Sequence, residues 1–261
     1  MNLLRAIKAE TIKCKSSTVL RNSFIAFAIA PLMGAAFILM VRSPGALDKG
    51  SAIHTKIEML GFTGDWNSYF SILIQAIGVG GVLIFGFVAS WIFGREYSDG
   101  TAKDLMSLPT SRTTILNAKF SVYFGWSLCL SLSNLLLGGL IGLILKVSLP
   151  DPSIIPMQLF DYFITTLLTS LLGTIIAFFA VWGKGYLAPL GFVGLTLVFA
   201  QVIAAIGYGN YFPWSIPGLY SGSGGSYKDE LNLLSYSILL GTTIVGYATT
   251  VLYWKMADQP H

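Results

Sequence analysis

Six apolar stretches decide what this chain can fold into. They run at about 23–41, 69–93, 120–145, 160–182, 187–206 and 233–254, each near the roughly 20 residues a helix needs to cross a bilayer. They are continuous rather than alternating, which predicts helices and excludes a β-barrel. Only 11% of the residues are charged and mean hydropathy is +0.70, where a soluble domain carries about 25% charged residues. The predicted fold class is therefore an all-α polytopic membrane protein with six transmembrane helices.

The chemistry the chain lacks narrows its function. No Gly-x-x-x-x-Gly-Lys-Ser/Thr occurs, and the turn Gly183-Lys184-Gly185 has neither the spacing nor the hydroxyl of a P-loop. His54 and His261 stand alone and Cys14 and Cys129 are far apart, so neither a metal site nor a disulfide is predicted. Cys129 reads as a small buried hydrophobe. No Gly-x-Ser-x-Gly is present and no histidine lies in a span, which argues against an intramembrane hydrolase. The spans are nearly free of charge, with Lys146 and Asp161 near their ends, which argues against a carrier built on buried carboxylates. The net charge of +4 is spread over loops and termini, so no nucleic acid partner is expected.

Residues 1–22 precede the first span. Leu3, Leu4, Ile7, Thr11 and Cys14 share one helical face, with Arg5, Lys8, Lys13 and Lys15 elsewhere. This predicts an amphipathic basic helix on the membrane surface, against the simpler reading of a basic topogenic tail. No cleaved signal peptide is expected. Pro31 predicts a kink in the first span, with its freed carbonyl satisfied by a neighbouring helix.

Ser127, Ser131 and Asn134 in the third span, and Thr166 and Ser170 in the fourth, form polar faces that either line a substrate path or pack helices together. Segment 207–232 is aromatic and broken by Pro213 and Pro217, consistent with a re-entrant segment or an interfacial aromatic loop. A short tail, 255–261, ends the chain. With the N-terminus inside, eleven Lys and Arg residues lie on the inner side and five on the outer. The positive-inside rule then places both termini in the cytoplasm.

Between the second and third spans, residues 94–119 form the longest strongly polar run. Thr101-Ala102-Lys103-Asp104 has capping-box spacing. It predicts a turn at Ser98–Gly100, a short helix from Ala102 to Ser107, a stop at Pro109 and a new cap at Ser111. Without further information this is a solvated loop with ordinary caps.

The run Arg95-Glu96-Tyr97-Ser98-Asp99-Gly100-Thr101, then Leu105 to Arg112, then Ala118-Lys119 resembles the cytoplasmic loop of ABC-2 type transporter permeases. More narrowly, it is similar to the branch containing bacitracin and lantibiotic immunity permeases. The resemblance implies an N-terminal elbow helix and a permease subunit of an ATP-driven exporter in a bacterial cell membrane. It also implies a separate ABC ATPase subunit that binds ATP and Mg, and a second permease copy or paralogue.

Within the loop, the resemblance implies that Glu96 and the Gly100-Thr101 turn set the pose. Asp99, Thr101, Lys103, Asp104 and Leu105 would face the ATPase, and Arg112 and Lys119 would meet headgroups or the ATPase surface. The implied cargo is a peptide antibiotic or a lipid-linked target of one. Export of another amphiphile or lipid-linked glycan, and a non-transporting sensor that signals to a partner, remain as rival readings.

Overall fold

The computed structural model describes residues 2–15, 17–42, 63–106, 109–148, 150–223 and 227–256. Most of the predicted polar loop after the first span, including Asp48, Lys49, His54, Lys56 and Glu58, lies outside the described residues. So do Ser107, Leu108, Gly224, Gly225 and residues 257–261.

Helix α1 (Leu3–Lys15) leads into six long apolar helices: α2 (Thr18–Arg42), α3 (Trp66–Ser98), α5 (Arg112–Ile144), α6 (Ile155–Trp182), α7 (Leu187–Ala205) and α9 (Leu233–Met256). Short helix α4 (Ala102–Met106) joins α3 to α5, and α8 (Ile216–Tyr220) lies between α7 and α9. The chain is a multi-pass membrane protein. Both described chain ends lie at one end of the bundle, called here the terminal end.

The helices extend past the apolar runs because local caps define where they begin. Asp65 starts α3: its carboxylate accepts the Ser68 amide at 2.8 Å. That hydrogen bond holds the Asp65 carboxyl below its ordinary value, against a smaller opposing effect of burial. Ser111 starts α5 in the predicted way, accepting the Thr114 amide at 3.2 Å. Helices α3 and α5 have 33 residues each, about 50 Å at 1.5 Å per residue. A hydrocarbon core is about 30 Å thick, so both helices project beyond it.

The centre of the bundle is α3 and α6. Their most apolar windows are 56% and 67% buried, against 22% for α2, α7 and α9. Both central helices are irregular. Helix α3 contains a π turn at Ala76–Gly80, and the Ile77 carbonyl there accepts the Thr169 hydroxyl of α6 at 3.3 Å. Helix α6 breaks at Leu172, where the Ser170 carbonyl is engaged by the Tyr123 hydroxyl at 2.8 Å. Neither irregularity was predicted from the apolar pattern.

The segment after α7 folds back into the bundle. Residues Ile216 to Ser221 are all buried, and the Ser215 hydroxyl donates to the Ala200 carbonyl at 3.0 Å. Gly78 in the π turn makes room for α8: a Cβ there would lie 2.5 Å from the Pro217 carbonyl oxygen. Gly78 stands twelve residues from the start of α3, so α8 packs roughly 18 Å along that helix from its far end.

Candidate functional site

The terminal end holds a buried ionic cluster built from three elements. Glu10 and Lys13 come from α1, Arg95 and Glu96 from the last turn of α3, and Lys119 from α5. Lys119 is 0% exposed, and its ammonium has three acceptors. They are Glu96 Oε1 at 2.7 Å, Glu10 Oε2 at 3.2 Å and the Ile92 carbonyl at 2.9 Å. Three donors meet three acceptors, which is what a buried ammonium requires. Lys13 bridges the same two carboxylates, at 2.6 Å from Glu10 Oε1 and 3.4 Å from Glu96 Oε1. Arg95 adds a longer ion pair to Glu96 at 3.7 Å and stacks on Trp91, with Cζ 4.6 Å from the ring centroid. Glu96 Oε2 is buried with no hydrogen-bond partner among the described residues.

This cluster corrects two expectations. Lys119 does not reach headgroups or a partner surface; it is the buried centre of the ion network. Helix α1 does not turn the face Leu3, Leu4, Ile7, Thr11, Cys14 toward a common surface. It buries Ala6, Glu10 and Cys14 against the bundle and leaves Leu3, Leu4 and Thr11 exposed. Burial pushes the Cys14 thiol up to about 11, with Arg95 opposing. Sequence reasoning missed Glu10, although a lone acid in a basic helix is the pattern that a buried ion pair leaves.

Beyond the cluster the chain turns a corner. Helix α3 ends with the Thr101 amide donating to the Glu96 carbonyl at 2.9 Å and the Gly100 amide to the Tyr97 carbonyl at 3.3 Å. Gly100 adopts φ +72°, as this helix ending requires. Asp99, Gly100, Thr101, Lys103 and Asp104 are exposed on the corner and on α4. Leu105 is not. It is buried in the main apolar core and anchors α4, which corrects its assignment to the outward face. Arg112 is also turned inward. It donates to the Trp254 and Lys255 carbonyls at 3.1 and 3.0 Å, capping the C-terminus of α9. Tyr97 meets Trp254 edge to face at 5.9 Å, a second tie between α3 and α9.

The five polar residues singled out in the spans are buried between helices. Pro31 has no N–H, so the Phe27 carbonyl one turn earlier is freed, and Asn134 Nδ2 approaches it at 3.4 Å. The Tyr162 hydroxyl contacts the Ser131 carbonyl at 2.7 Å and Asn134 Oδ1 at 3.1 Å. Ser131, Thr166 and Ser170 donate to carbonyls of their own helices. Ser127, with these four, is buried. None of the five lines the groove between α2, α3 and α7 or the small cavity beneath α8. Cys129, expected to be buried, is exposed on the outside of α5.

A cavity of about 440 Å³ lies between α2, α3 and α7. Val19, Asn22, Ser23 and Ala26 of α2 form one wall, Leu83, Ile84 and Phe87 of α3 the floor, and Leu190 of α7 the other wall.

Residues 6–202 match the model of the ABC-2 family transporter protein family, a stretch from α1 to the end of α7 that contains the whole ionic cluster and the corner. The chain belongs to the ABC-2 family of transporter proteins. It is similar to the bacitracin transport permease protein BCRB of Bacillus licheniformis, with 27% identity over 194 residues, covering 74% of this chain and 90% of that protein. No solved structure matches it. As an ABC-2 permease it is a transport subunit, of a kind that works in the membrane with ABC ATPase partners.

Proposed function

We propose that this permease is the membrane subunit of an ATP-driven exporter that gives resistance or immunity to a peptide antibiotic. The observation that carries this reading is the exposed corner Asp99–Asp104 on the terminal end, held directly beyond a buried cluster that joins α1, α3 and α5. A push on this corner enters two long helices through fixed contacts rather than through a slack loop. The excess of Lys and Arg at the terminal end supports a cytoplasmic location for it, on the side where ATP is available.

In this reading ATP and Mg bind a separate ABC ATPase, which docks on Asp99, Gly100, Thr101, Lys103 and Asp104. Glu96, Leu105 and Arg112 act behind that surface by holding its shape. A second permease copy or paralogue completes the transporter. The likeness to a protein named for bacitracin transport supports a peptide cargo.

The test is co-expression with a candidate ABC ATPase subunit, which this reading expects to be encoded beside the permease, comparing wild type with the exposed double variant Asp99→Lys/Lys103→Glu. Co-purification, peptide-stimulated ATP hydrolysis and bacitracin resistance should all fall together in the variant. Unchanged recovery and stimulation would remove the corner as the docking surface. Stimulation by a lipid-linked glycan, with none by peptides, would move the cargo to another amphiphile.

A further inference from the structure

Among the described residues, three spans lose their regular hydrogen-bond ladder at one level of the bundle. In α3 it is the π turn at Ala76–Gly80, and in α6 the break at Leu172. These two lie side by side: Thr169 of α6 donates to the Ile77 carbonyl, and a Cβ on Gly81 would lie 3.2 Å from Thr169 Cγ2. In α2 it is Pro31. Phe27 meets Phe85 of α3 at 5.8 Å, and Gly34 packs on Tyr69. Pro31 lies between these two contacts on α2, as the π turn does on α3.

Freed carbonyls at this level are held by side chains. Thr169 holds Ile77 at 3.3 Å, Asn134 approaches Phe27 at 3.4 Å and Tyr123 holds Ser170 at 2.8 Å. The Leu171 carbonyl accepts the Thr174 hydroxyl at 2.9 Å. Bending a regular helix sharply in hydrocarbon strands backbone groups that water cannot reach. Here the carbonyls have already left the ladder, and a side chain that turns about its own bonds can follow them. A sharp bend therefore costs least at this level.

On either side of it the central helices are tied together. Toward the terminal end, a Cβ on Gly94 would lie 2.6 Å from the Gly185 carbonyl, and one on Gly86 would lie 3.5 Å from Val193 Cβ. Toward the other end, Trp66 of α3 donates to Gln158 of α6 at 3.1 Å, and Tyr220 of α8 to Asp161 of α6 at 3.0 Å.

We infer that this level is a hinge, at which Gly81–Ser98 of α3 and Gly173–Trp182 of α6 swing as one block against Trp66–Gln75, Ile155–Leu171 and α8. Gly173 leaves room for the Tyr123 hydroxyl, which sits in the joint. The unbroken helices α5, α7 and α9 follow by gentle curvature. A kink of 20° carries the end of the 18-residue half of α3 through roughly 9 Å. The hinge's role rests on the transporter reading above: a push at Asp99–Asp104 enters the first block and is felt at the far end of the bundle.

The experiment compares two disulfide staples in a Cys14→Ala/Cys129→Ser background, reconstituted with the candidate ATPase. Gly81→Cys/Thr169→Cys joins the two blocks across the hinge. Gly86→Cys/Val193→Cys joins α3 to α7 within the first block. Both pairs approach within disulfide reach. Oxidation should abolish peptide-stimulated ATP hydrolysis in the first variant, reduction should restore it, and the second variant should work in both states. Full stimulation with the first staple closed would overturn the hinge.

A second measurement needs no ATPase. In the same background, spin labels at Lys103→Cys/Ser153→Cys span the hinge, and labels at Lys103→Cys/Lys255→Cys lie within the first block. Pulsed electron resonance on the permease in nanodiscs should give a wider distance distribution for the spanning pair. Deleting Gly80, which lets the π turn close as a regular α turn, should narrow it to the width of the pair within the block. If no protein, wild type included, shows stimulation, the transporter reading fails and this measurement decides the hinge by itself. A spanning distribution as narrow as the other, or one that the deletion leaves wide, would overturn it.

Discussion

Removing the Lys119 ammonium should detach α1 from the bundle. At an effective dielectric of 20, attraction to Glu96 at 2.7 Å and Glu10 at 3.2 Å is roughly 6 and 5 kcal/mol. Desolvation of the buried ions offsets most of that, and breaking a buried pair from one side typically costs about 3–5 kcal/mol. Lys119→Met leaves two buried carboxylates sharing Lys13 and a distant Arg95, so the upper part of that range applies.

The assay uses Cys14, which is buried in the α1 interface. In a Cys129→Ser background, maleimide reaches Cys14 only when α1 opens, and the labelling rate follows the open population. A cost of about 3–5 kcal/mol should raise that rate by two to three and a half powers of ten, at 1.4 kcal/mol per factor of ten. Glu10→Gln should do less, because Lys119 keeps Glu96 and the Ile92 carbonyl. The double variant Lys119→Met/Glu10→Gln should be less open than the sum of the singles, by a coupling of about 0.5–3 kcal/mol. A rate within fivefold of wild type for Lys119→Met, or strict additivity in the double variant, would refute the latch.

Further outcomes follow from the same geometry. In wild type at pH 7.5, maleimide should modify both thiols slowly, Cys14 because it is buried under α1 and Cys129 because it faces outward midway along the membrane-crossing helix α5. The Cys14 thiol is raised from 9.0 to about 11, so its contribution to α1 docking is full below pH 9 and is lost as pH rises through about 11. Labelling of Cys14 should accelerate across that window faster than hydroxide alone explains. Gly78→Val should expel α8, since its Cβ would meet the Pro217 oxygen at 2.5 Å; limited proteolysis of segment 207–223 reads this out. Arg112→Ala should free the C-terminus of α9 and cost about 1–3 kcal/mol in thermal stability. Asp65→Ala should cost about 1 kcal/mol. The Asp65 carboxyl is depressed in the fold, so its cap is present above the ordinary carboxylate value and is lost as pH falls through the folded one.

Much of the architecture was legible without coordinates, because spanning a bilayer leaves few choices. Backbone groups in hydrocarbon must pair within their own helix, so a run of about twenty apolar residues has one outcome. The corner after α3 was legible for a similar reason. Gly100 and Pro109 act on their own backbone, and Ser111 on the amide three residues on, so nothing distant is needed to place them.

What the sequence did not show depends on partners far along the chain. Lys119 and Arg112 read as surface cations, yet one finds Glu10 more than a hundred residues away and the other finds the end of α9. Asn134 read as path lining or, more readily, as packing, and its partner was not legible: Pro31 frees a carbonyl beside it. The π turn, the break at Leu172 and the burial of α8 are settled by which helix lies opposite, since each exchanges a local hydrogen bond for one from a neighbour. Local rules determined the elements and their ends; only the packing of distant helices decided which charges are buried and which side of each helix is free to bind.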